Sequence, residues 1–354
     1  MQTPSRLLFE GLAHRLSAPA AIYVTGAGAP SSFGMVLDPP ANTQWSFPYN
    51  KVRLTLDTPF RIASNTKPFT AATILRLAEE GQVALDDAAE TNLSSETCAV
   101  LSSCGFRPDR ITLRHLLAHT SGLADHTDHP SYLPDAFKNP DRPWTRIEQV
   151  QVGVALSGPL CTPGDAYHYS DTNYLLLGEV IERVTGQPLG PAVRRTLDLA
   201  RFNIPSTWWE GMEEPPPGAG LRVQQFVGGR DATNIHPSTD AFGGGGLVMS
   251  VRDLGCLTAA LFEGQLFRSP NTLAQMLRPT GVGGDEYRLG VSAMHAGNVQ
   301  VFGHVGYWGT AAFHAPALGI TVAGFVAERD DRAELVKVLL AFLTSSATEK
   351  QAIR

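Results

Sequence analysis

Strand-like patterns near both ends of this chain enclose a long helical middle, and that order limits the fold more than any other feature of the sequence. Ala20 to Thr25 is a short apolar run followed by the turn-rich Gly26-Ala27-Gly28-Ala29-Pro30. Near the other end, residues 298–304 alternate, residues 309–314 follow, and a turn at 316–319 leads into Ile320 to Val326. From position 68 to about 204 the spacing is helical instead. Ala71, Ile74, Leu75 and Ala78 share one face, and Leu177, Val180, Ile181 and Val184 share another that Gly186 stops. Thr112 caps a helix predicted over 113–119, and further helices are expected over 5–16, Val251–Phe262 and 331 to about 343. Residues 45–58 read as irregular with a little strand. The whole predicts an α/β (α+β) chain: residues 1–70 and 240–354 build one domain from both termini, and 71–239 form a mainly helical insertion.

With 354 residues there is room for about two such units. A net charge of −6 leaves no basic footprint for nucleic acid. No run approaches the ~18 apolar residues of a membrane span. The N-terminal stretch carries Arg6, Glu10, His14 and Arg15, and Pro19 interrupts its longest apolar run, so it makes a poor export signal. As written the chain reads as cytoplasmic, or as periplasmic or secreted if a leader has been removed. Cys98, Cys104, Cys161 and Cys256 lack paired Cys-x-x-Cys spacing and are expected as free thiols, although Cys98 and Cys104 are placed to close a loop in an exported protein. His115 and His119 lack an adjacent glutamate, and Asp125-His126-Thr127-Asp128-His129 reads as a solvated loop, so no metal site is expected.

The chemistry starts at Ser64-Asn65-Thr66-Lys67. Three residues are close to one helical turn, so the hydroxyl and the ammonium project from one face, where a lysine can take or relay the serine proton. Pro68 is tolerable only in a first turn, which puts Ser64 at or just before a helix N-terminus, where free N–H groups favour developing negative charge. With 21 serines and five lysines in the chain, about 0.3 chance matches are expected, so the pair needs partners. Lysine is also scarce beside 23 arginines, and a lysine can give up its proton where an arginine cannot.

Two further segments supply those partners. Tyr169, in Tyr169-Ser170-Asp171, precedes the helix bearing Leu177, and its phenol can face a cleft. His304-Val305-Gly306-Tyr307-Trp308 lies on a late strand, where glycine permits close backbone approach and a strand edge offers N–H groups. Gly243 to Gly246 lack a following Lys-Ser or Lys-Thr and read as close backbone packing, not as a phosphate loop. Trp208, Trp209, Phe242, Tyr307 and Trp308 are candidates to line an apolar pocket. No Gly-x-Ser-x-Gly nucleophile elbow occurs.

In this order and spacing, Ser64-x-x-Lys67, Tyr169-Ser170-Asp171 and His304-Val305-Gly306 resemble the three motifs of the serine β-lactamase and DD-peptidase-like superfamily. The likeness is to its class C β-lactamase, D-aminopeptidase and family VIII carboxylesterase branch. Residues 111–123, 174–178 and 244–253 read like the same branch, and the resemblance spans about 58–330. It implies an antiparallel sheet flanked by helices with a helical inserted domain, and an active site at their interface. It implies Ser64 as acylated nucleophile, Lys67 as its proton partner and Tyr169 as shuttle to the leaving group. The Ser64 and Tyr307 backbone N–H groups would be the oxyanion hole, and Asp171, His304, Gly306 and Trp308 would bind substrate. His304 would stand near a substrate carboxylate or leaving group. The implied partner is a small or short peptide-like acyl substrate with no cofactor, in a monomer or homodimer. The expected reaction is hydrolysis of an ester or amide, with β-lactamase activity weak at best. An acyltransferase or a non-turnover, penicillin-binding sensor are the alternatives.

Asp171 stands where such motifs commonly carry asparagine. Asn173 cannot substitute, since two residues along a helix turn a side chain about 200° away. An aspartate lacks an N–H donor, and its charge is expected to hold Lys67 protonated and leave Tyr169 as the main base.

Overall fold

The computed structural model describes residues 15–29, 31–38, 52–282 and 286–352, together with Phe9 and Gly11. The helix expected over 5–16 and the irregular segment before position 52 lie largely outside the described residues. Six strands, β1 (Ala20–Thr25), β2 (Phe33–Leu37), β3 (Ser292–Ala296), β4 (Val299–Gly306), β5 (Thr310–Ala315) and β6 (Ile320–Val326), form one antiparallel sheet in the order β2-β1-β6-β5-β4-β3. Ala20 pairs with Val326 and Thr25 with Thr321, so the first strand closes against the last. The two ends of the chain therefore build one sheet. Strands β2 and β3, the two edges, are the members that the sequence pattern does not single out.

Every residue of β6 is buried because helices cover both faces of the sheet. Ala323 faces Gly255 of the helix Val251–Phe262, while a side chain added at the next residue, Gly324, would meet Leu335 and Leu339 of the last helix. That last helix runs over Arg332–Ala352, longer than expected.

Four helices matter to the site and are labelled α1 (Lys67–Glu79), α2 (Asp171–Thr185), α3 (Val251–Phe262) and α4 (Arg332–Ala352). Residues 67–77 of α1 are all buried, because α2 and the helix Leu189–Thr196 pack against it on the side away from the sheet. The division expected after residue 70 falls inside α1, and one continuous hydrophobic cluster runs from the sheet through α1 and α2. Thr112 caps its helix as predicted, but the helix ends at Leu117, and His119 takes a left-handed φ of 57°. A second sheet joins Phe60–Arg61, Leu247–Met249 and Trp208–Trp209. It holds the chain as it enters Ser64, with the Ile62 N–H donating to the Leu247 carbonyl at 3.1 Å. Among the described residues no helix is long and apolar enough to cross a membrane.

Candidate active site

Ser64 lies on a 3-10 turn, Ala63–Thr66, that runs directly into α1. Ala63 adopts a left-handed φ of 49°, a conformation that costs a non-glycine residue of order 1 kcal/mol and turns the chain sharply before the serine. The three-residue spacing then does what the sequence predicts: Lys67 Nζ donates to Ser64 Oγ at 2.8 Å. It also donates to the Gly244 carbonyl at 2.9 Å and forms an ion pair with Asp171. An ammonium has three N–H donors, and these three acceptors use them all. The Tyr169 hydroxyl donates to Ser64 Oγ at 3.1 Å from the other side. Ser64, Lys67, Tyr169 and Asp171 thus meet at one point.

The glycine run packs closely, as read from the sequence. Gly243, at φ 121°, sits against the Tyr174 backbone of α2, and its carbonyl accepts from Thr70 of α1 at 2.8 Å. Gly306 serves the same purpose on β4. An added Cβ there would press on the Ile62 carbonyl and the Thr310 hydroxyl, so the atoms that demand glycine belong to this chain and not to a substrate. The Asn65 amide ties the layers together, donating to the His304 carbonyl at 2.9 Å and accepting from the Gly306 N–H at 3.0 Å.

A cavity of about 370 Å³ opens beside Ser64. Tyr307 and Trp308 line it, together with Tyr132, Leu133 and Leu175. Trp208 and Trp209 are instead buried in the small sheet, and the Phe242 carbonyl packs on Gly178 of α2. His304 stands one layer back: its ring is 6.1 Å from that of Tyr169, and Nε2 lies 3.1 Å from the Tyr287 hydroxyl. Burial and the Lys67 charge push its imidazole down to about 3, so it stands neutral.

The carboxylates are where sequence reading missed most. Asp125, Asp128, Asp171 and Asp240 all line the cavity, and none of its described lining residues is lysine or arginine. The segment read as a solvated loop is in part an inner wall, since Asp125 is 7% and His126 2% exposed. His126 packs there because its N–H donates to Thr172 Oγ1 at 3.1 Å, and burial takes its imidazole to about 4. Burial and the neighbouring Asp171 charge push the Asp125 carboxyl up to about 7, against N–H and hydroxyl bonds of 2.9 Å from Thr127. Burial also raises Asp240, which accepts from Trp308 Nε1 at 2.8 Å. Asp171 moves the other way: burial opposes its charge, but Lys67, His126 and His119 together hold it below the usual carboxylate range. No local spacing marks this segment as a wall: Asp125 and His126 are buried while Thr127 and Asp128 stay exposed, a division set by tertiary packing.

In the resting site Tyr169 stands as a hydroxyl donor to Ser64 Oγ. Burial and the Asp171 charge push its phenol well above 10, so it is present as an O–H donor. It is held by the His119 ring, 4.3 Å away, whose Nδ1 accepts from the Ser170 N–H at 3.1 Å. Asn173 points away, as expected, toward His119 and Ser121. Cys98, Cys104, Cys161 and Cys256 are free thiols.

The chain and its fold are similar to those of known proteins. Among curated proteins, the chain is 36% identical to Protein flp of Staphylococcus aureus (strain MW2) over 139 residues, 39% of this chain and 25% of that protein. It is 32% identical to Penicillin-binding protein 4* of Bacillus subtilis (strain 168) over 143 residues, 40% of this chain and 28% of that one. The matched region is thus about a quarter of the length of these relatives. Among solved structures, a D-stereospecific amidohydrolase from Streptomyces sp. superposes with a TM-score of 0.73 at 26% identity, covering 95% of this chain and 97% of its own. A D-amino acid amidase from Ochrobactrum anthropi SV3 reaches a TM-score of 0.76 at 20% identity over 98% and 99%, a likeness of fold alone. The profile of the Beta-lactamase family matches residues 12–342, nearly the whole chain, and with the fold and the Ser64–Lys67 corner in place this protein belongs to that family.

Proposed function

We propose that the protein is a serine hydrolase that forms an acyl-enzyme on Ser64 from small amides or esters whose acyl part carries a free amino group. In this reading Lys67 manages the Ser64 proton and the Tyr169 hydroxyl supplies a proton to the leaving group. The backbone N–H groups of Ser64 and Tyr307 receive the oxyanion. One observation carries the proposal: Ser64 Oγ is held between Lys67 and Tyr169 at the edge of a cavity walled by four aspartates and no cation among its described lining.

Lys67 is already neutralised by Asp171, so the remaining carboxylates set the field of the cavity. At an effective dielectric near 20, a charge pair about 4 Å apart gains about 4 kcal/mol, so an ammonium is attracted and a carboxylate repelled. The neutral state of His304 points the same way, since it offers a substrate carboxylate no positive charge. This sets amide and ester substrates bearing an amine above β-lactams and carboxyl-terminal peptides. The D-amino acid amidase and D-stereospecific amidohydrolase neighbours fit such a substrate.

The test is a matched panel: p-nitroanilides and p-nitrophenyl esters of D- and L-amino acids, their N-acetyl forms, and nitrocefin. Free-amine substrates are expected to show kcat/KM at least ~10-fold above their N-acetyl counterparts, with nitrocefin slowest. Preference for N-acetyl or carboxylate-bearing substrates refutes the amine assignment.

A further inference from the structure

We infer that Asp171 is the proton acceptor of the acylation step, reached through Lys67: as Ser64 attacks, a proton passes from Oγ to Nζ while another passes from Nζ to the Asp171 carboxylate. The inference rests on the acyl-enzyme reading and adds a role for a residue that an asparagine could not fill.

The geometry poses the problem that this relay solves. Lys67 Nζ is fully buried and donates at once to Ser64 Oγ, the Gly244 carbonyl and Asp171. In that state it has no lone pair for the serine proton. Tyr169 offers Ser64 an O–H and no base. Of the neighbouring imidazoles, His119 accepts from the Ser170 N–H at Nδ1 and has no partner at Nε2, His304 Nε2 meets Tyr287, and His126 Nδ1 meets Thr172 at 3.3 Å; none of them bonds Ser64 or Lys67, as Asp171 does. Asp171 is the anion in direct contact with Lys67, and 22% of its side chain faces the cavity.

The step balances. Before attack the charges are Lys67 ammonium and Asp171 carboxylate. After it, Oγ is bonded to the substrate carbon, Lys67 is again an ammonium, Asp171 is a neutral acid, and the negative charge sits on the tetrahedral oxygen. Collapse breaks the bond to the leaving group, which takes a proton by way of the Tyr169 hydroxyl, and the Asp171 proton returns to the network to restore the ion pair. A substrate that fills the cavity removes water from the exposed edge of Asp171 and so favours the neutral acid.

The groups facing this pair are Asp125 and His126 from the inner wall, His119 and Tyr169 from the aromatic stack, Tyr174 from α2, His304 from β4 and Asp240 ahead of the glycine run. Among them the Asp125 carboxyl is lifted to about 7. The profile is therefore read with p-nitrophenyl butyrate, which carries no charge for Asp125 to sense, and repeated in Asp125→Asn.

In the wild type the relay needs only the singly protonated Lys67–Asp171 pair. It predicts a kcat/KM that stays flat across neutral pH and does not climb toward pH 9. In Asp171→Asn the proton has no acceptor. The rate is expected to fall at least ~10-fold at pH 6 and to recover as the pH rises. A wild-type rate that climbs throughout to pH 9, or an Asp171→Asn variant as fast as wild type at pH 6, overturns the relay and makes Asp171 a clamp on Lys67. The wild-type profile needs no variant to fold. Full activity in Ser64→Ala overturns the acyl-enzyme reading itself, whereas a Ser64-dependent rate with the wrong profile overturns the relay alone.

Discussion

The corner that carries Ser64 and the wall formed by Asp125, Asp171 and Asp240 differ in how their polar groups are met. At the corner, the Asn65 amide, the Thr310 hydroxyl and the Ile62 carbonyl bond one another across the junction of turn and sheet, and Gly306 leaves them room. That network borders the strained turn at Ala63 that leads into Ser64. The wall instead gathers carboxylates whose ionisation burial and mutual repulsion oppose. One region is held by neutral polar groups that satisfy one another, and the other concentrates titratable carboxylates at a cavity edge.

Mutations at the two regions should separate accordingly. The largest effect is expected for Ser64→Ala, which loses roughly 10⁴-fold or more in kcat while its melting temperature stays within a degree or two, by steady-state kinetics and calorimetry. Gly306→Ala comes next. Its methyl group pushes β4 from the 62–65 segment, with an expected cost of about 1–3 kcal/mol in denaturant unfolding and roughly 10²-fold in kcat. Stability and rate should fall together at the corner.

They should part at the wall. Asp125 has a folded pKa of about 7 against an ordinary 3.8, so between these values the native state binds the proton better than the unfolded chain. Its contribution to stability is therefore full below about pH 4 and lost as pH rises through 7. Asp125→Asn should gain about 1–3 kcal/mol at pH 8, gain nothing at pH 4, and lose ~10-fold in kcat/KM for free-amine substrates only. Equal effects on butyrate and amine esters would tie Asp125 to the chemistry and collapse the comparison. The smallest effect is expected for His304→Gln, under ~3-fold in kcat/KM and without a change in the pH profile, because its imidazole stands neutral behind Tyr169.

The same division marks what the sequence discloses. Local spacing carries the corner: Ser64 and Lys67 three apart, Pro68 in the first turn, and Tyr169 just ahead of a helix all predict their places before any tertiary contact is known. The central strands β1 and β6 are equally plain, because burial on both faces leaves a continuous apolar run, while the edge strand β3 carries no such run. The wall is built from long-range packing. Nothing in the order Asp125-His126-Thr127-Asp128 distinguishes a solvated loop from a cavity lining until Thr172 of α2 meets His126. The proton states followed the same rule. The sequence places Asp171 next to Lys67 but does not show that the same charge, together with burial, also lifts the Tyr169 phenol.

The central claim is that Ser64 carries the acyl group. Peptide-mapping mass spectrometry after rapid acid quench of a reaction with a p-nitrophenyl aminoacyl ester tests it most directly. The account predicts one acyl adduct, on the peptide holding Ser64 and absent in Ser64→Ala. An adduct on another residue, or turnover by the wild type at the same rate as Ser64→Ala, would contradict it.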